Sequence, residues 1–99
     1  LTSFANTQDA EDFVGIYQFI DGHRNVLNSE TIEVYLKDQD LYIKTRDLET
    51  GPFIQLHVEK PIFAKEYGYF TMRFIPESNT IKMYFGPSGI NEWTKITSK

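Results

Sequence analysis

An all-β fold, a small antiparallel up-and-down meander barrel or strongly curled sheet of seven to eight strands, is what this sequence predicts. Three observations carry the prediction. Apolar and polar residues alternate along consecutive short segments, which points successive side chains to opposite faces of a sheet. Turn-forming residues recur about every 8–12 positions. No long stretch keeps apolar residues at helical spacing without a Gly, a Pro or a β-branched run interrupting it.

The elements follow in chain order. Residues 1–11 read as a flexible N-terminal segment and residues 12–99 as one barrel-like domain, the size that a single core of 99 residues sustains. Ser3 and Ala5, two apart and just ahead of the polar run Asn6-Thr7-Gln8-Asp9, fit a signal-peptide remnant, but the charged and long apolar regions of a signal are missing, and a plain disordered terminus fits better. Phe13 to Ile20 is almost wholly apolar or aromatic, which predicts a first strand covered on both faces. Asp21-Gly22-His23-Arg24-Asn25 is a turn or loop. Ile32, Val34 and Leu36 then share one face, as do Leu41, Ile43 and Thr45, and Asp38-Gln39 joins the two segments as a tight hairpin. Ile54, Leu56 and Val58 alternate with Gln55, His57 and Glu59 until Pro61 ends the run. Phe70, Met72 and Phe74 lead through the Pro76-Glu77-Ser78-Asn79 loop into Ile81, Met83 and Phe85. After Gly86-Pro87-Ser88-Gly89, residues Ile90 to Ile96 around Trp93 form a last strand. The predicted interior is Val14, Ile16, Ile32, Val34, Leu36, Leu41, Ile43, Leu56, Val58, Phe70, Met72, Phe74, Ile81, Met83 and Phe85.

Composition narrows the function classes. Ten Lys plus Arg against fourteen Asp plus Glu give a charge of −4, which argues against nucleic acid, whose binding rests on basic side chains neutralising phosphates. No Cys is present, so disulfides, thiol catalysis and the common structural zinc sites are excluded. Ordinary hydrophobic content argues against disorder and against a membrane span. Residues 1–50 hold ten acids and four bases, whereas residues 51–99 hold four acids and six bases, so the barrel carries an acidic and a mildly basic flank.

The chemistry-bearing residues form no recognisable constellation. His57 shares a strand face with Gln55 and Glu59, and His23 stands in a polar loop; both read as solvated surface residues, and no metal site is assigned. Ser88 lacks the Gly-x-Ser-x-Gly spacing of a nucleophile elbow. No carboxylate pair stands out as an acid and base, so no catalytic residue and no cofactor is assigned. Aromatic residues are the stronger signal. Tyr35 and Tyr42 project from the outer face of the first hairpin as cross-strand neighbours, and outward Tyr pairs bury apolar area while keeping the hydroxyl wet. Phe63, Tyr67 and Tyr69 cluster around Gly68, either as a loop rimming the barrel mouth or as a twisted strand pair, and Trp93 adds a further ring. These six aromatics are the candidate ligand- or partner-binding residues. Gly15, within the first strand, lets another backbone or an aromatic ring approach closely, or permits a sharp bend where a small barrel turns a corner; Tyr17 and Trp93 are the rings that could fill the space.

The run Phe13-Val14-Gly15-Ile16-Tyr17, followed by an alternating strand, a short acidic turn and Leu41-Tyr42-Ile43, resembles a bacterial domain of unknown function. That domain is often found C-terminal to secreted serine β-lactamase-like hydrolases. The resemblance spans residues 12–97 in the order of elements and implies a lipocalin-like meander barrel. Lipocalins and fatty-acid-binding proteins carry Gly-x-Trp in the first strand where this chain has Tyr17, and the chain is shorter than either family's domain, which weighs against an internal ligand cavity. The expectation is therefore a non-catalytic binding or accessory domain of an exported bacterial protein, periplasmic or extracellular, that meets a protein partner. The alternative is a lipocalin-like carrier of a small hydrophobic ligand, which requires an apolar cavity of roughly 300 Å³ or more.

Overall fold

A computed structural model describes residues 10–22, 29–46, 48–57, 60–65, 70–85 and 89–97. After a 3-10 helix at Ala10–Phe13, eight strands follow: β1 (Gly15–Gly22), β2 (Thr31–Lys37), β3 (Asp40–Thr45), β4 (Leu48–His57), β5 (Lys60–Lys65), β6 (Thr71–Ile75), β7 (Thr80–Tyr84) and β8 (Ile90–Thr97). Each strand pairs antiparallel with the next, and β1 pairs with β8, closing the barrel. This is the up-and-down closure seen in lipocalin-like barrels, and it leaves no strand with an unpaired edge.

Two turns show how local sequence sets the register. Asp38 and Gln39 have φ of 54° and 74°, the left-handed pair that a type I′ two-residue hairpin needs, and Lys37 pairs with Asp40 across it. Asp tolerates that conformation; Gln occupies it at some cost. In the 76–79 turn the Ser78 and Asn79 amides donate to the Ile75 and Pro76 carbonyls. Asn79 takes the left-handed position (φ 54°) before β7 begins.

The core holds Ile32, Val34, Leu41, Ile43, Met72, Phe74, Ile81 and Met83, as the alternation predicts, with Leu36, Phe70 and Phe85 half-buried against it. Val58 lies outside the described residues. Elsewhere the prediction is corrected. Phe13 belongs to the 3-10 helix, and β1 runs from Gly15 to Gly22 with Gln18 and Ile20 exposed, so its outer face meets solvent. Gly15 and Tyr17 point inward while Val14 and Ile16 are only half-buried. Both phases of this run are apolar, so alternation alone does not choose between them. Tyr17 enters because its buried hydroxyl donates to the Phe13 carbonyl at 2.9 Å, which removes the usual penalty on a buried phenol. The close approach at Gly15 is to β8: an added Cβ would meet the Thr97 carbonyl oxygen at 2.5 Å and Lys95 Cε at 2.8 Å. No ring fills that space.

Leu56 is exposed, not internal. Ile43 pairs with Thr50, but Leu41 pairs with Phe53, so two residues, Gly51 and Pro52, oppose Tyr42 in a β-bulge. That extra residue flips the phase of β4: Phe53 and Gln55 turn inward, and Ile54 and Leu56 turn out.

Candidate functional site: the outer wall of the barrel

Rings fill the inside. Six of the buried core residues are aromatic: Phe13, Tyr17, Phe53, Phe63, Phe74 and Trp93. At the end sealed by the 3-10 helix, Phe13 stacks on Phe74 at 4.2 Å and meets Phe63 edge-on at 6.1 Å. Toward the other end, Phe70 lies between Phe53 at 5.0 Å and Phe85 at 4.6 Å. Phe63 and Trp93, placed among the binding candidates by sequence, are therefore core residues, each almost wholly buried, and a partner at the surface does not reach them. The core absorbs more aromatic volume than the alternating aliphatic positions suggest. Trp93 packs edge-on against Phe19 at 5.3 Å, and its buried Nε1 finds no hydrogen-bond partner among the described residues. Tyr67 and Tyr69 lie outside the described residues, as do His23, Glu59 and Ser88.

Tyr35 and Tyr42 are where the sequence puts them. They pair directly across β2 and β3, half-exposed on the outer wall, with rings stacked at 5.9 Å and 23°. The Tyr35 hydroxyl donates to Glu49 Oε2, Lys37 Nζ reaches Glu49 Oε1 at 3.2 Å, and the same ammonium stands 5.3 Å over the Tyr42 ring. Gly51 lies beneath Tyr42; a Cβ there would come within 2.7 Å of Tyr42 Cδ2 and 3.1 Å of the Leu41 carbonyl oxygen. The bulge glycine thus lets the ring lie flat against the wall. The Gly51–Pro52 peptide is cis.

Beyond the bulge, the same wall changes character. Ile54 and Leu56 are 51% and 54% exposed. Ile54 pairs with Ala64, and Ile62 stands on the same outer face of β5, opposite Arg73 of β6. Aliphatic surface on two adjoining strands therefore faces outward, bordered by Arg73, with nothing among the described residues covering Ile54 or Leu56. Sequence reasoning missed this patch because it placed Leu56 in the core. The signal that points to it is the Gly51-Pro52 pair inside an alternating run, which marks a bulge and a change of phase.

A concavity opens at the sealed end. About 280 Å³ in volume, it is lined by Asp12, Tyr17, Phe74, Pro76, Asn79 and Thr80 among others. The stacked rings of Phe13 and Phe74 are themselves part of its lining. Burial pushes the Tyr17 phenol above its ordinary pKa, which keeps its proton on the Phe13 carbonyl. Lys95 Nζ donates to the Asp12 carbonyl at 2.9 Å and stands 5.8 Å over the Tyr17 ring.

Among the described residues no group of three or more His, Cys, Asp or Glu side chains is placed to hold a metal ion. No described helix is long and apolar enough to cross a membrane. Comparison with protein-family models, with curated proteins and with solved structures finds no match. Fold and wall together define a class: a closed eight-stranded antiparallel barrel with a ring-filled interior and a partly apolar outer wall.

Proposed function

We propose that the domain is a non-catalytic binding or accessory module of an exported bacterial protein, and that it engages a protein partner through the outer wall of β2–β5. The observation that carries this reading is the contrast between a ring-filled interior and an uncovered wall where Ile54 and Leu56 stand beside the Tyr35–Tyr42 stack. Adjoining aliphatic and aromatic side chains with polar neighbours are the composition of interface hot spots. The resemblance of Phe13–Tyr17 and Leu41–Ile43 to a domain that accompanies secreted hydrolases supports export.

The test is photo-cross-linking in the cells that make the protein, with a photoreactive residue at Ile54 or Tyr42 and, as control, at Gln18, which is exposed on β1 outside the β2–β5 wall. Discrete protein adducts from positions 54 and 42, and none from 18, are the expected result. Equal labelling at all three positions defeats the reading. So does a hydrophobic small molecule released in stoichiometric amount when purified protein is denatured, which is the behaviour of a carrier.

A further inference from the structure

We propose that the partner's docking segment is acidic and amphipathic, and that it seats on the outer wall of β4–β6 with its apolar side chains on Ile54, Leu56 and Ile62 and its carboxylates on Arg73. This rests on the preceding reading and adds the chemistry of the occupant.

Charge on this wall is one-sided. From the bulge of β4 through β7, the outward strand positions whose side chains are described carry two charges, Arg73 and Lys82, both basic. Those two cations stand directly opposite each other across β6 and β7, an arrangement that costs stability within a sheet. Arg73 is exposed, with no ion-pair partner among the described residues; Lys82 has Glu92 as its cross-strand neighbour on β8. An anionic group set between the apolar patch and Arg73 relieves the repulsion and supplies the missing partner.

The closed barrel limits how a partner binds. With no free strand edge, strand addition is unavailable, and recognition falls to side chains: an aliphatic face flanked by carboxylates, in the manner of a helix laid on an apolar surface. An anionic bilayer is the weaker candidate, since each cation near such a surface contributes only about 1 kcal/mol and clusters of several basic residues, rather than one or two, hold a chain there. A second copy is weaker too. On β2 and β3 the outward acids Glu33 and Asp40 already stand opposite Lys44 and Lys37, so they give the Arg73 of a second copy no unmatched carboxylate to meet.

The experiment titrates isotope-labelled full chain with two synthetic amphipathic helical peptides that share a Leu face and differ only in Glu or Lys flanks. The Glu peptide shifts the amide signals of Ile54, Leu56, Ile62 and Arg73, and added salt weakens it. Arg73→Glu, an exposed change that removes the like-charge opposition and leaves the fold intact, weakens the Glu peptide about tenfold or more and favours the Lys peptide. Arg73→Gln weakens the Glu peptide less. Equal affinity for both peptides overturns the proposal, as do shifts confined to β1–β3. Binding of the wild-type chain to phosphatidylglycerol vesicles through Ile54 replaces it with a membrane surface. Concentration-dependent self-association lost on Leu56→Ser replaces it with a second copy. If both peptides fail while photo-adducts from Ile54 persist, the acidic chemistry is wrong and the binding-module reading stands.

Discussion

The sealed end of the barrel and the open wall of β4–β6 handle apolar surface in opposite ways. At the sealed end a short 3-10 helix drops Phe13 onto Phe74, the Tyr17 hydroxyl ties down the helix carbonyl, and Lys95 bonds the Asp12 carbonyl next to it. The rings there are covered and the Tyr17 and Lys95 polar groups that cover them have partners, while Ile96 on the outer face of β8 stays exposed. On the wall, Ile54 and Leu56 are half in solvent. Exposed aliphatic residues stand elsewhere on the barrel too, but Ile54 and Leu56 share one strand face with Ile62 across from them on β5, and it is adjoining apolar surface that is informative about binding. The Tyr35–Tyr42 stack stands between these extremes: its rings rest on the bulge and on each other, with Lys37 and Glu49 engaged.

The largest effect expected to separate the two regions comes from Phe13→Ala. It removes a ring that is 4% exposed and in contact with Phe74 and Phe63, so a loss of about 3 kcal/mol in urea-induced unfolding is expected. A loss below about 0.5 kcal/mol shows the helix to be dispensable and the end to be no more covered than the wall.

Tyr17→Phe comes next. It leaves the Phe13 carbonyl buried and unsatisfied, for a loss of about 1–2 kcal/mol near neutral pH. Its pH dependence sharpens the assignment. The phenol's pKa is raised in the folded state by burial, so the folded chain keeps the proton when the unfolded chain releases it, and this stabilisation is present below about pH 10. As pH rises above that value the native state loses it. Wild-type stability therefore falls more steeply above pH 10 than that of Tyr17→Phe, and parallel curves from thermal unfolding across that range show that Tyr17 is not held as described.

Smaller again is Tyr35→Phe on the intermediate region. It removes the hydroxyl's bond to Glu49 but keeps the stack on Tyr42. Because the Lys37–Glu49 pair is itself well exposed, the loss is about 0.5 kcal/mol. A loss beyond about 1.5 kcal/mol makes this hairpin face a structural element as tightly built as the sealed end.

How legible all this was depends on whether one or both phases of a strand are apolar. For β2 and β3 only one phase is, and Ile32, Val34, Leu41 and Ile43 went inside with Tyr35 opposite Tyr42, as the alternation requires. In Phe13–Ile20 both phases are apolar, so the choice fell to a hydrogen bond between Tyr17 and Phe13 that spacing does not reveal. In β4 the alternation was clear but its phase was reset at Gly51-Pro52, where the chain needs an extra residue to make the wall turn. The same reset moved Leu56 from the expected core to the surface. Trp93 and Phe63 went the other way, because the space between facing strands rewards ring volume more than ring polarity repels it.

The smallest stability effect belongs to the wall, and it decides the comparison. Ile54→Ser together with Leu56→Ser replaces side chains that are already half in water, so little area returns to solvent on unfolding, and stability stays within about 0.5 kcal/mol of wild type. The same double variant removes the aliphatic surface on which a partner rests, and photo-adducts from Tyr42 on the neighbouring strand are lost. A structural role for Ile54 and Leu56 predicts the reverse: a drop in unfolding free energy of the size seen at Phe13, with adducts retained. Measuring both on one protein separates surface kept for packing from surface kept for a partner, because burial and binding draw on the same side chains but only burial registers in the isolated domain.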